Sequence, residues 1–106
     1  MNDKYRELIA ELKTGLDGVY GPRLRGVYLY GSAARGDEGP ESDVDVLLVL
    51  DQIGRYSEEI RLSGEVVSNL SLKFGRSISR VFVPEQEWKT GKTTFLENAR
   101  AESISA

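Results

Sequence analysis

Histidine and cysteine are both absent from the 106 residues of the chain. Without cysteine there is no disulfide framework, no thiolate nucleophile and no thiolate zinc site. Without histidine the commonest general base and the commonest metal ligand are missing. Any metal must then be held by oxygen, which points to magnesium, manganese or calcium. Long apolar runs are also lacking, since none approaches the ~20 residues of a membrane span. The first seven residues do not read as a signal peptide. A soluble, cytoplasmic protein with no membrane partner is expected. Excess positive charge is missing as well: 14 Lys and Arg stand against 17 Asp and Glu, a net charge of −3. That balance argues against a general nucleic-acid surface but leaves room for one local basic site. The length supports one modest core, so residues 1–106 are expected to form a single domain.

What is present is ordered by periodicity. Tyr5, Leu8, Ile9, Leu12, Leu16 and Val19 recur at spacings of three and four, which predicts an amphipathic helix over residues 3–19, with Asp3 as a candidate cap. Gly18, Gly21 and Pro22 are expected to break it. Residues 27–30 form a short aromatic and β-branched run between Gly26 and Gly31 and read as a strand. Residues 46–50 are apolar at every position, the pattern of a strand covered on both faces. A second long helix is predicted over residues 56–74, with Ser57 as candidate cap and Gly75 as its stop. A third strand is predicted over residues 78–83. Two short helical pieces, separated by Gly91, should dock through Trp88 and Phe95.

About a dozen residues join the first two strands, too few for a regular parallel crossover, so these strands should be antiparallel. The full helix before the third strand suits a parallel crossover. The expected fold is α+β: a small mixed sheet packed with helices in a two-layer domain.

Residues 31–45 then become the centre of the chain. Antiparallel pairing brings Gly31 and Ser32, at the end of one strand, beside Asp43 and Asp45, at the start of the next. Residues two apart on a strand share a face, with Cα atoms about 7 Å apart. Two carboxylates so placed repel each other, and a divalent cation relieves that repulsion. Gly31 permits close backbone approach. A helical turn from Ser32 to Arg35 would present N–H groups suited to phosphate, with the Ser32 hydroxyl as a further donor. Arg35 could meet a phosphate oxygen, and Ser42 could cap the loop or approach the metal. Each piece also has an ordinary reading, as a turn, an acidic loop or a long hairpin connection.

Together the pieces are more specific. Gly31-Ser32, ten residues, then Asp43-Val44-Asp45 resembles the signature of the DNA polymerase β-like nucleotidyltransferase superfamily. Residues 31–36 and 42–46 look like its minimal, MNT-type branch, and the order of elements extends the likeness over nearly the whole chain. The resemblance implies a magnesium-dependent nucleotidyltransferase that binds a nucleoside triphosphate such as ATP. It would transfer the nucleoside monophosphate to an acceptor hydroxyl and release pyrophosphate. Asp43 and Asp45 would be catalytic and hold one or two Mg2+ ions, while Gly31, Ser32, Arg35 and Ser42 would bind the nucleotide. Similarity to the antitoxin of HEPN–MNT toxin–antitoxin pairs implies a HEPN-type partner protein, with AMP transferred to it.

The chain departs from the family pattern at one place. Active members usually carry a third carboxylate on the strand after the second long helix. Here residues 77–83 hold no Asp or Glu, and Ser79 is the matching position. The alternative expectation is therefore a nucleotide-binding or steric antitoxin module. A small-molecule acceptor would usually need a further domain.

Overall fold

The computed structural model describes residues 5–36 and 43–106. Helix α1 (Arg6–Tyr20) is followed by a 3-10 turn (Gly21–Arg23), strand β1 (Leu24–Tyr30) and the short helix α2 (Gly31–Arg35). Then come β2 (Val44–Leu50), the long helix α3 (Tyr56–Phe74) and β3 (Ile78–Pro84). The chain closes with α4 (Glu85–Thr90), α5 (Thr94–Glu102) and β4 (Ile104–Ser105). No helix among the described residues is long and apolar enough to cross a membrane.

The sheet order is β3-β2-β1-β4. β1 and β2 are antiparallel, with Tyr30 opposite Asp45. β2 and β3 are parallel, with Asp45 opposite Ser79. Both orientations match what the connection lengths imply, and the mixed α+β class is as expected.

The unbroken apolar run of β2 serves two layers. Val44, Val46, Leu48 and Leu50 join one core with Leu8, Ile9, Leu12 and Leu16 of α1 and with Val67 and Leu70 of α3. Leu47 and Val49 join a second cluster with Val83 of β3 and Leu96 and Ala99 of α5. The two long helices therefore cover one face, and the C-terminal helices cover much of the other. Trp88 lies against Tyr28, with ring centroids 4.7 Å apart, and Phe95 meets the Tyr30 ring edge-on at 5.6 Å. These are the docking contacts expected of the tail.

Several local expectations need correction. α1 runs through Gly18 to Tyr20, and Val19 is exposed. An interior glycine costs a helix about 1 kcal/mol. Here the buried Tyr20, whose hydroxyl donates to the Glu59 carbonyl at 3.1 Å, holds the last turn. Ser57 is not the cap of α3, because the helix begins at Tyr56 after an extended Arg55. Gly75 does close α3, with φ 65°. Strand β4 was not foreseen, since its two residues become a strand only by pairing with β1 at Tyr28 and Leu29. Asp3 lies outside the described residues.

Candidate functional site

The register of β1 and β2 builds the site. Tyr30 is the last residue of β1, and its partner Asp45 is the second residue of β2. The chain leaves β1 through Gly31 at φ 73°, a backbone region that L side chains rarely adopt. A Cβ placed on Gly31 would lie 2.7 Å from Asp45 Oδ2. Glycine is thus needed twice, for the dihedral and for the approach of the turn to the carboxylate.

From Gly31 the chain enters α2. Ala33 is buried and Ala34 packs against the same core, so the alanines fasten the short helix to the sheet. Ser32 is half-buried, its carbonyl accepts from the Gly36 N–H at 2.9 Å, and Gly36 ends the helix at φ 79°. Arg35, at the end of α2, donates through Nη1 to Glu102 Oε2 on α5 at 3.2 Å.

Asp43 immediately precedes β2 and is exposed, while Asp45 is half-buried. The Val44 N–H between them donates to the Ser77 carbonyl at 2.9 Å, which fastens the start of β2 to the approach of β3. Burial pushes the Asp45 carboxyl above the usual carboxylate range, the charge of Asp43 adds to this, and the Arg35 guanidinium opposes it. The unfavourable interaction of two neighbouring carboxylates is the condition that a bound cation relieves. Their donor set is hard oxygen, and magnesium commonly takes one or two protein carboxylates and completes its shell with water and phosphate. Asp43 and Asp45 therefore fit such an ion.

Ser79 stands directly beside Asp45 on the parallel neighbour and is exposed. The register thus puts serine at the place estimated for a third carboxylate. No group of three or more Asp, Glu, His or Cys suited to a metal occurs among the described residues. Glu85 cannot reach Asp45: it follows the far end of β3, six residues beyond Ser79, about 20 Å along a strand. It pairs there with Arg25 at 3.4 Å and Lys89 at 3.6 Å. Glu87 is exposed on α4.

The structure thus brings Gly31, Ser32, Arg35, Asp43 and Asp45 to one end of the sheet. Ser42 lies outside the described residues. Sequence reasoning missed Glu102, which lies 67 residues from Arg35 and belongs to no local motif. It also gave Tyr30 no place beside Asp45, although strand pairing alone implies it. A groove of about 540 Å³ lies elsewhere, between α1 and α3, and is lined in part by Ala10, Gly15, Val66 and Leu70.

Residues 20–100 match the family described as "Polymerase beta, Nucleotidyltransferase". The chain is 35% identical over 91 residues to the "Putative protein adenylyltransferase MJ0141" of Methanocaldococcus jannaschii, covering 86% of this chain and 87% of that protein. Among solved structures, a toxin–antitoxin with AMP-PNP superposes with a TM-score of 0.61 at 16% identity, over 89% of this chain and 68% of that one. A chain from the complex of the tri-AMPylated Shewanella oneidensis HEPN toxin with MNT antitoxin superposes with a TM-score of 0.53 at 12% identity. That likeness covers 92% of this chain and 70% of the other.

Proposed function

Because this chain belongs to the polymerase beta nucleotidyltransferase family, we propose that it transfers AMP from ATP to a hydroxyl of a HEPN-type partner protein, as the antitoxin of a toxin–antitoxin pair. The observation that carries this reading is the juxtaposition of Gly31 and Asp45. The turn suited to a phosphate lies so close to the carboxylate suited to a cation that a Cβ on Gly31 would sit 2.7 Å from Asp45 Oδ2. The name of the Methanocaldococcus jannaschii relative, "Putative protein adenylyltransferase MJ0141", supports the choice of a protein acceptor.

In this reading Gly31 and Ser32 cradle the triphosphate, and Arg35 offsets its charge. Asp43 and Asp45 hold Mg2+. When bound, the ion offsets phosphate charge and polarises the reacting phosphoryl group. The acceptor oxygen forms a bond to the α-phosphorus, the bond to the bridging oxygen breaks, and pyrophosphate leaves. The acceptor proton passes to solvent or to a carboxylate at this edge. With few protein groups in the site, rate acceleration comes from positioning and charge. The exposed edge at Ser79 and Asp43 is where a partner hydroxyl has access.

Incubation with labelled ATP, Mg2+ and the folded partner encoded nearby tests this. Label is expected on the partner. No transfer with any of the four nucleoside triphosphates, with magnesium or manganese, would reject it.

The Ser79 position favours a second reading, a nucleotide-binding or steric antitoxin without turnover. It requires that a chain carrying both Asp43→Asn and Asp45→Asn still binds its partner. Intact complex without neutralisation would reject the purely steric form.

A further inference from the structure

Helix α5 reaches the candidate site through a charged contact that the transfer reading does not use. Arg35 Nη1 donates to Glu102 Oε2 at 3.2 Å, and the two side chains are 47% and 42% exposed. An ion pair this exposed contributes little to holding a fold together. It does restrict where the guanidinium sits. Arginine is rich in rotamers, and ordering it on a ligand has an entropic cost that prior restraint reduces. Its five donors form a rigid fork, so one arm can rest on a carboxylate while the fork serves a phosphate.

The helix that carries Glu102 is itself well anchored. The Thr93 side chain accepts from the Leu96 N–H at 3.2 Å and caps α5. Leu96 and Ala99 are buried in the second core cluster. Arg100 donates to the Trp88 carbonyl at 2.9 Å and to the Gly91 carbonyl, which clamps α5 to the end of α4. Directly after Glu102, the Ser103 N–H donates to the Ala99 carbonyl at 2.8 Å, and β4 joins β1. The backbone that carries Glu102 is thus tied to the same sheet that carries Asp45.

We propose that Glu102 is a positioning residue that holds Arg35 for the triphosphate; this inference rests on the nucleotide-binding part of the reading above. A carboxylate near a polyanion site repels the ligand if it does nothing else. Removing it therefore separates two roles: binding weakens if Glu102 positions Arg35, and strengthens if it only repels or competes.

The test is the Kd of Mg2+–ATP for the full chain, measured by calorimetry in wild type, Glu102→Gln, Arg35→Ala and the double variant. Glu102→Gln should weaken binding about threefold to tenfold, and Arg35→Ala at least as much. In the double variant Kd should be no weaker than that of Arg35→Ala alone, because Glu102 then has nothing to position and its residual repulsion is removed. A merely structural role would persist in that background, and an additive double variant overturns the proposal. Unchanged or tighter binding by Glu102→Gln overturns it while leaving nucleotide binding intact. Wild type that binds no Mg2+–ATP overturns it together with the nucleotide-binding reading.

Discussion

Strand β2 has an aspartate near each end, and the two are treated in opposite ways. Asp51, just beyond Leu50, accepts from the Gln52 N–H at 2.7 Å and from Arg23 Nε at 3.2 Å. These bonds, led by the one from the backbone, hold its carboxyl below the usual range. Arg23 also donates to Glu59 at 2.8 Å, and Glu59 is only 3% exposed. Asp45, six residues earlier, is half-buried beside another carboxylate and is raised. One end of the sheet therefore has its carboxylates paired with Arg23, although Glu59 Oε1 is buried without a hydrogen-bond partner. The other has a raised carboxyl at a glycine turn, where burial and Asp43 outweigh the opposing Arg35 guanidinium. Paired charge serves stability, and a carboxyl held at a cost beside another of the same sign marks a place for a ligand of the other.

The sharpest way to break that comparison is at the site. Asp45→Asn should lower transfer by at least about a hundredfold, as removal of a preorganised charge-stabilising group does. It should also raise the melting temperature of the ligand-free protein. Added Mg2+ should stabilise wild type but not the Asp43→Asn, Asp45→Asn double variant, as read by thermal unfolding. A wild type indifferent to Mg2+ would remove the case for a metal there.

At the distal end, Arg23→Ala should destabilise the fold by about 2 kcal/mol, because the buried Glu59 loses its partner. The value is set below that of a fully buried pair because the Arg23 side chain is 36% exposed. Denaturant melts measure it, and Kd for nucleotide should stay unchanged. A nucleotide effect as large as the stability effect would mean the two ends are coupled.

A smaller change is expected from Ser79→Asp. The register places the new carboxylate beside Asp45, so transfer should rise by about tenfold if charge at that position aids the reaction. Without Mg2+ the same variant should melt lower than wild type, since three carboxylates then crowd one edge. Unaltered transfer, with the fold intact, would show that Ser79 is not the limiting departure.

The smallest effects are in pH. Asp51 has a depressed native pKa, so its contribution is present above the unfolded value and lost as pH falls through the native one. Asp45 has a raised native pKa, so its penalty is absent in acid. The penalty grows as pH rises from the unfolded value near 3.8 through the native value. The stability gain of Asp45→Asn should therefore appear above about pH 4 and then level off, whereas the loss from Asp51→Asn should vanish in acid. Parallel curves for the two variants would contradict the opposed environments.

Much of the site was legible because its parts are local. Gly31-Ser32 ends one apolar run, Asp43-Val44-Asp45 begins another, and a short connection forces the runs together. The family resemblance was enough to estimate Ser79 as the position of the third carboxylate, and the register places it beside Asp45. Other features left no local signal. Glu59 looks like a favourable acidic residue in the first turn of α3, yet Arg23, 36 residues away, makes its burial tolerable. Glu102 looks like one more exposed acid on a short helix, and only the packing of α5 brings it to Arg35.

The sequence by itself determined the period of each element, the antiparallel and parallel pairings that connection lengths allow, and the two carboxylates at one strand end. These follow from short-range sterics and from chain reach, which act within a few residues. The tertiary structure decided which charges are compensated, that the tail covers the second face of β2, and that a glycine must lie against Asp45. Those outcomes depend on distances between residues far apart in the chain, which side-chain periodicity does not encode.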